Sequence, residues 1–113
     1  MNMPTPLGDD LVLRFATEGD ADAVGAFNSE HHDDNQEYTI VGRSVHGLAA
    51  GKHPGGRAPD FTVVEHAPSG RIVSSMCLLS QTWTYGGVPF AFGQPEFVAT
   101  AKDYRRRGLV RKQ

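Results

Sequence analysis

Four segments are predicted to be β-strands, the first three from alternation of apolar and polar residues with a period of two and the fourth from its apolar run. The segments are Leu11–Phe15, Phe61–His66, residues 71–84 and Val88–Thr100. The third is at the upper end of the usual strand length. The fourth is close to continuously apolar, and a strand of that kind is normally covered on both faces and paired on both sides.

Two helices are predicted between the first and second of these strands. Thr17 and Asp20 have the spacing of a capping box, so we expect a helix over about residues 18–29. Its inward stripe consists of Ala21, Val24 and either Phe27 or Asn28. Residues 40–49 repeat apolar residues at helical spacing, which predicts a second helix that ends near Gly51.

The remaining segments are predicted to be connections. Residues 1–10 are expected to form a flexible tail, 31–37 a polar connection, 51–56 a loop and 67–70 a tight turn, while two glycines at 86–87 suit a hairpin turn with positive φ angles. The order is then strand, helix, helix and a three-stranded meander. This order predicts an α/β fold in the broad sense (α+β), with a mostly antiparallel sheet.

Composition narrows the class of protein. A chain of 113 residues is one domain or less, and its 39% hydrophobic and 21% charged residues fit neither a disordered chain nor a membrane span. The polar, acidic N-terminus is unlike a secretory signal. Cys77 is the only cysteine, so no internal disulfide can form, and we expect a reducing, cytoplasmic setting.

Positive charge is concentrated at the C-terminal end. The net charge is −2, but residues 102–113 hold six basic residues and one acid, a net +5, which leaves −7 on the rest. Arg105, Arg106, Arg107 and Gly108 come where the last strand should pass into a helix. Backbone N–H groups at such a junction favour a phosphate group, and glycine lets it approach closely. The alternative is a solvated basic turn.

The order of elements, together with this loop, resembles the N-terminal half of the GNAT acyltransferases, which transfer acetyl groups from acetyl-CoA to amines. The pyrophosphate loop of that family reads Gln/Arg-x-x-Gly-x-Gly/Ala; Arg105 and Gly108 match it, and Val110 departs from the small final residue. The stretch from Phe97 through Leu109 is most similar to the Eis-like branch, which includes aminoglycoside and lysine acetyltransferases. Residues 11–113 would then be the N-terminal portion of a GNAT domain.

The resemblance implies a role for particular residues in binding acetyl-CoA. The strand end at Val98, Ala99 and Thr100 would offer backbone groups to the pantetheine arm. The backbone of the loop would hold the pyrophosphate, and its arginines would add positive charge. The loop residues in question are Arg105, Arg106, Arg107, Gly108, Leu109 and Val110.

The resemblance also implies a base that deprotonates the acceptor amine. Glu96 is the candidate, since some branches place a glutamate on this strand; a structural carboxylate is the alternative, because Pro95 beside it suggests a bulge or an edge. The tyrosine that commonly protonates the leaving thiolate, with the next helix and the fifth strand, would lie beyond Gln113. We therefore expect the isolated chain to be inactive.

Other reactive side chains have simpler interpretations. His31, His32, Asp33 and Asp34 are adjacent on one segment and lack a metal-binding frame, so we expect no metal there but a solvated loop or an acceptor-site wall. Cys77 lies among apolar residues and is predicted to be a buried, inert thiol. Two aromatic residues at the hairpin, Trp83 and Tyr85, are expected to serve packing or an interface rather than to line a substrate site.

Two functions of different classes follow. The first is an acetyl-CoA-dependent N-acetyltransferase acting on a small-molecule or lysine amine. The second is a non-catalytic GNAT fragment that binds a partner, or forms a homo-oligomer, through an exposed sheet edge. We expect neither nucleic acid nor membrane as a partner, because the body of the chain is acidic and lacks an aromatic platform beside the arginines.

Overall fold

The computed structural model describes residues 3–32, 40–52 and 57–113. Within these ranges the side chains of residues 32, 40–43, 80–83, 90–92, 94 and 96 fall outside the description. The predicted polar connection therefore lies outside the described residues from 33 onward, and the predicted loop at 51–56 lies outside them from 53 onward.

The chain forms one five-stranded antiparallel sheet in which each strand pairs with the next along the sequence. The strands are β1 (Thr5–Gly8), β2 (Leu11–Phe15), β3 (Phe61–His66), β4 (Arg71–Tyr85) and β5 (Val88–Thr100). The α+β class and the meander are thus confirmed, with β4 one residue longer than predicted. At the β4–β5 hairpin, Gly86 and Gly87 have φ angles of +56° and +81°, as a primed turn requires.

The predicted flexible tail is wrong for part of its length, because β1 pairs with β2 along the edge of the sheet. Thr5 lies opposite Leu13 and Pro6 opposite Val12, with an irregularity before Gly8. Two prolines and a glycine in residues 4–8 made a strand improbable from sequence. An edge strand tolerates these residues, since one side of its backbone needs no partner.

The helices follow the predicted positions with different boundaries. A 3-10 turn (Glu18–Asp20) leads into α1 (Ala21–His32), which continues three residues past the predicted end at Ser29. His31 and His32 therefore belong to the helix rather than to a polar connection. The second helix, α2 (Ile40–Ala49), has the predicted bounds, and Gly51 follows it with a φ of +75°.

The predicted inward stripe of α1 is buried, whereas that of α2 is buried only in part, with Val45, Leu48 and Ala49 buried and Ser44 exposed. On α1, Val24 is fully buried, and both Phe27 and Asn28 are buried, so the two alternatives at this turn are both inward. The amide of Asn28 donates to Ser75 Oγ of β4 (3.1 Å) and to Val24 O (2.9 Å). Each large apolar side chain removed from water in this way contributes about 1.5–3 kcal/mol to folding. Cys77 is fully buried in the same core, as predicted.

Arg14 joins β2 to the start of α1 and to β3. Its guanidinium donates to both carboxylate oxygens of Asp20 (2.7 and 2.9 Å) and to Glu65 Oε2 (2.9 Å). Asp20 Oδ2 also accepts from the backbone N–H of Thr17 (2.7 Å), which is the reach-back bond of the predicted capping box. The hydrogen bond from Arg14 is the main reason that the pKa of Asp20 falls from 3.8 to about 2.

We expect Asp20→Asn to lower the free energy of unfolding by about 1 kcal/mol at neutral pH, because a part-exposed charge-assisted pair is lost. The folded-state pKa of Asp20 is depressed, so its stabilisation is present above pH 3.8 and is lost as the pH falls toward about 2. Urea unfolding across this pH range measures both effects. Glu18→Gln, an exposed carboxylate in the same turn, is the control. An acid limb as steep in Asp20→Asn as in the parent would contradict this assignment.

Candidate functional site

The edge strand β5 departs from regular pairing near its end. Ser75 lies opposite Ala99 but Cys77 lies opposite Glu96, so Phe97 and Val98 together face the single residue Met76. Phe97 has a φ of +52°, which is unusual for a residue other than glycine. The bulge inferred from Pro95 is therefore present, and so is the edge position. A bulge of this kind takes backbone groups out of the ladder and redirects the strand.

A short loop of alternating backbone conformation follows β5. After a 3-10 turn (Lys102–Tyr104), Arg106 and Gly108 have positive φ angles of +65° and +71°, and the helix α3 (Leu109–Lys112) begins directly after Gly108. Within the part of the chain that the structure describes, the amides of residues 106–108 donate no backbone hydrogen bond. The amides of the first helical turn have no partner within a helix either. The loop therefore has several backbone N–H donors close together without a backbone acceptor.

The bulged strand end and the loop enclose one open cavity of about 720 Å³. It is lined by His31, Val98, Ala99, Thr100, Tyr104, Arg105, Arg106, Gly108, Val110 and Arg111. A Cβ built on Gly108 would meet no atom within 4 Å, so a side chain there would project into free space at the cavity wall. The positive φ of Gly108 would strain such a residue as well.

The three consecutive arginines have different surroundings. Arg105 and Arg106 line the cavity, and Arg105 Nε donates to Thr100 O at the end of β5 (3.1 Å). Arg107 is not among the lining residues: its guanidinium lies 4.7 Å from the ring centroid of Tyr104 and donates to Asp103 O (3.3 Å). Two of the three guanidinium groups are thus placed where an anion would be bound.

Arg107 instead belongs to a brace behind the cavity. Arg71, at the start of β4, donates to both carboxylate oxygens of Asp103 (3.1 and 3.3 Å), and its guanidinium lies 5.7 Å from the Tyr104 ring centroid. The hydrogen bond from Arg71 lowers the pKa of Asp103, which is exposed. Both arginines therefore hold the turn that carries Tyr104, and Tyr104 forms part of the cavity wall.

The other predicted site residues are placed as follows. Leu109 is buried in the core, so only its backbone is available to a ligand, whereas Val110 is 40% exposed and lines the cavity. Glu96 lies on β5 opposite Cys77, next to the bulge, and its side chain is outside the description. Asp33 and Asp34 lie outside the described residues. Tyr85, at the hairpin tip, is 82% exposed and far along the strand from the cavity.

Two cavity residues, Tyr104 and Arg111, were not identified from sequence, and His31 was considered only as part of a solvated loop or an acceptor-site wall. Arg111 belongs to the basic cluster that predicted the anion site. The sequence gave no reason to expect that Arg111, rather than another basic residue of the cluster, would line the cavity. His31 would have been found if the helix had been extended by one turn. Nothing in the sequence marked Tyr104 as a cavity residue; it is an aromatic residue between Asp103 and Arg105.

Residues 13–112 match the sequence pattern of a family described as "Acetyltransferase (GNAT) domain". This match covers far more than half of the chain, and the chain therefore belongs to the GNAT acetyltransferase family. No curated protein sequence matches the chain significantly.

Solved structures with similar folds include enzymes with different acyl donors. The Trypanosoma brucei acetyltransferase is 26% identical with a TM-score of 0.65, over 91% of this chain and 68% of that one. A possible acetyltransferase of Clostridium difficile is 18% identical with a TM-score of 0.59, over 92% and 66%. Saccharomyces cerevisiae N-myristoyltransferase with bound myristoyl-CoA is 17% identical with a TM-score of 0.72, over 97% and 26%. This chain thus spans about two thirds of the length of these two acetyltransferases and about a quarter of the length of the myristoyltransferase.

We expect substitutions at Arg106 and Arg107 to affect coenzyme A binding in different ways. Arg106→Gln removes a charge from the cavity wall, so affinity should fall about tenfold at low ionic strength, about 1.4 kcal/mol, and should depend less on salt. Arg107→Gln loosens the Tyr104 turn and removes only a more distant charge, so affinity should fall with a smaller loss of salt dependence than in Arg106→Gln. Isothermal titration over a series of ionic strengths measures both; equal flattening of the two salt dependences would place Arg107 in the cavity.

Proposed function

We propose that this chain holds acetyl-CoA in the 720 Å³ cavity and serves an N-acyltransferase that acetylates an amine. One observation carries the proposal: in this chain of the GNAT family, a bulged edge strand and a loop of arginines and a glycine line the same cavity. Each feature matches a different part of the ligand: an extended amide-bearing arm and a doubly charged pyrophosphate.

The pantetheine arm is assigned to the end of β5. Val98, Ala99 and Thr100 line the cavity from the outer strand of the sheet, whose free edge can pair with an extended amide chain as a further strand would. The bulge at Phe97 supports this assignment. It interrupts the regular pairing of β5 with β4 just before the strand end, where the thioester would lie.

The pyrophosphate is assigned to the loop between β5 and α3. The backbone amides from Arg106 to Val110 would surround it, with the positive φ angles of Arg106 and Gly108 turning successive amides toward one side. The guanidinium groups of Arg105 and Arg106 would add charge-assisted hydrogen bonds from the wall. Arg107 would contribute through the brace and through long-range attraction.

The chemistry follows from the thioester and the amine. The amine nitrogen attacks the acetyl carbonyl carbon, the carbon–sulfur bond breaks, and coenzyme A leaves as a thiolate that takes up a proton. We assign to Glu96 the removal of the proton from the attacking amine, since its strand position adjoins the bulge.

The acceptor and the branch of the family belong to the same proposal. We propose membership of the Eis-like branch, on the sequence from Phe97 through Leu109, with a small-molecule or lysine amine as acceptor and a cytoplasmic location. None of the helices that the structure describes combines the length and the apolar character that crossing a bilayer requires.

A second function, that of a binding or oligomerisation module, is favoured by the outer edge of β5. Among the described strands it pairs only with β4, and Val98 near its end and Val88 near its start are 37% and 65% exposed. An edge of this kind can pair with a second copy. Light scattering behind size exclusion distinguishes the cases: a monodisperse 12.3 kDa monomer would contradict association.

We expect Gly108→Val to weaken acetyl-CoA binding at least tenfold, about 1.4 kcal/mol, because its side chain would project into the cavity at the loop. Gly70→Val is a matched control, since Gly70 has the same φ of +71° in a turn outside the cavity. Isothermal titration of both variants with acetyl-CoA separates backbone strain from obstruction. If Gly108→Val binds as tightly as the parent, the pyrophosphate assignment is incorrect; if the parent does not bind, the cavity is not a cofactor site.

In a form of the enzyme that turns over, we expect Glu96→Gln to reduce amine acetylation about 10²–10⁴-fold at neutral pH, as loss of a general base does. The loss should shrink at alkaline pH, where the amine deprotonates unaided. Thiol release followed over a pH series measures this, with the exposed carboxylate variant Glu18→Gln as the control. An unchanged pH–rate profile in Glu96→Gln would exclude Glu96 as the base.

A further inference from the structure

One wall of the cavity comes from α1, through a side chain to which the proposed function assigns no role. His31 lies in the last turn of this helix, its ring centroid is 4.4 Å from that of Phe27, and only 12% of its side chain is exposed. It lines the same cavity as the loop and the strand end. A titratable ring is therefore held by packing at the wall of the cavity that contains the proposed phosphate site.

Among the residues that the structure describes, the charges that share the cavity or the helix end with His31 have opposing effects on its protonation. Arg105, Arg106 and Arg111 line the same cavity, and Tyr104 joins them from the 3-10 turn. These cations disfavour an imidazolium. Glu30 Oε2, 3.8 Å from His31 Nε2, and the C-terminal end of α1 favour it. The described side chains of β5 at the cavity (Val98, Ala99 and Thr100) carry no charge.

An anion in the cavity would change this balance. A pyrophosphate between the loop and α1 would neutralise the arginine charges and add a negative partner for the ring. Both changes favour the imidazolium, so binding and protonation must promote each other.

We propose that His31 is a fourth cationic group of the pyrophosphate site, one that becomes charged as the cofactor binds and makes cofactor affinity depend on pH. This inference rests on the proposed function, since it requires a coenzyme A pyrophosphate in the cavity. His31 holds its proton more firmly in the bound state than in the free state. The additional affinity is therefore present at low pH and is lost as the pH rises through the bound-state titration of the ring, by up to about tenfold per pH unit for one proton.

The test uses 3′-dephospho-coenzyme A, because the terminal phosphate of coenzyme A itself titrates near pH 6 and would obscure the proton balance. Isothermal titration near pH 6.5, close to the ordinary pKa of histidine, is run in two buffers with different enthalpies of ionisation. The difference in apparent enthalpy gives the number of protons taken up per ligand bound. Three chains are compared: the parent, His31→Gln and His46→Gln. His46 is the matched control, because its ring contacts Asp22 (2.8 Å) outside the cavity.

Proton uptake by the parent and by His46→Gln, but not by His31→Gln, would support the inference. Ring NMR signals of His31 in the parent should also move toward the imidazolium positions when ligand is added at fixed pH, and this measurement holds even if His31→Gln does not fold. Binding by the parent without proton uptake, or equal uptake by His31→Gln, would overturn the role of His31 and leave the proposed function intact. Failure of the parent to bind either coenzyme A or its dephospho form would overturn both.

Discussion

The hydroxyl of Ser74 connects the strand that enters the arginine loop with the helix that leaves it. It donates to Ala99 O at the end of β5 (3.1 Å), lies 3.0 Å from Thr100 Oγ1, and accepts from Gln113 Nε2 after α3 (2.7 Å). Ser74 and its bond to Ala99 O are buried, so removing the hydroxyl would leave that carbonyl unsatisfied at a cost of about 1–3 kcal/mol. Because the two ends of the loop are fixed to one atom of β4, the loop can keep positive φ angles that a free segment would relax.

The charge distribution is organised around the same loop. An acidic body surrounds a basic end, yet the structure shows that the basic residues do not form a uniform patch. Arg71 and Arg107 are used within the protein to hold Tyr104, while Arg105, Arg106 and Arg111 face the cavity. Such a division favours a small, geometrically defined anion over an extended polyanion, which would require charges spread along a surface. His31 adds a group whose charge the ligand itself can control.

Sequence reasoning succeeded where the residue pattern had one strong physical cause. β3 and β5 have the predicted bounds, and the hairpin was recognised because two glycines suit positive φ angles. β1 was missed because prolines argue against a strand, and only its edge position makes them acceptable. The end of α1 was missed because the His31 ring packs at a tilt against that of Phe27, four residues earlier, a contact that hydrophobic periodicity does not register.

The loop itself shows how far a motif can be interpreted. Its arginines and glycine predicted an anion site, but they could not show which guanidinium groups face it. That depends on the left-handed conformation of Arg106, a conformation that local sequence disfavours for any residue with a side chain. The bulge was suggested by Pro95, whereas its position at Phe97 depends on how β5 meets β4.

Backbone amide NMR of the ¹⁵N-labelled chain during titration with coenzyme A would test the central claim most directly. The claim is that one cavity binds the cofactor through the strand end and the loop together. It predicts that the largest shifts fall on the amides of residues 106–110 and on those of Val98 and Thr100, with little change at the Tyr85–Val88 hairpin tip. Shifts confined to the hairpin or to the outer edge of β5 away from the bulge, or no saturable shifts, would contradict it.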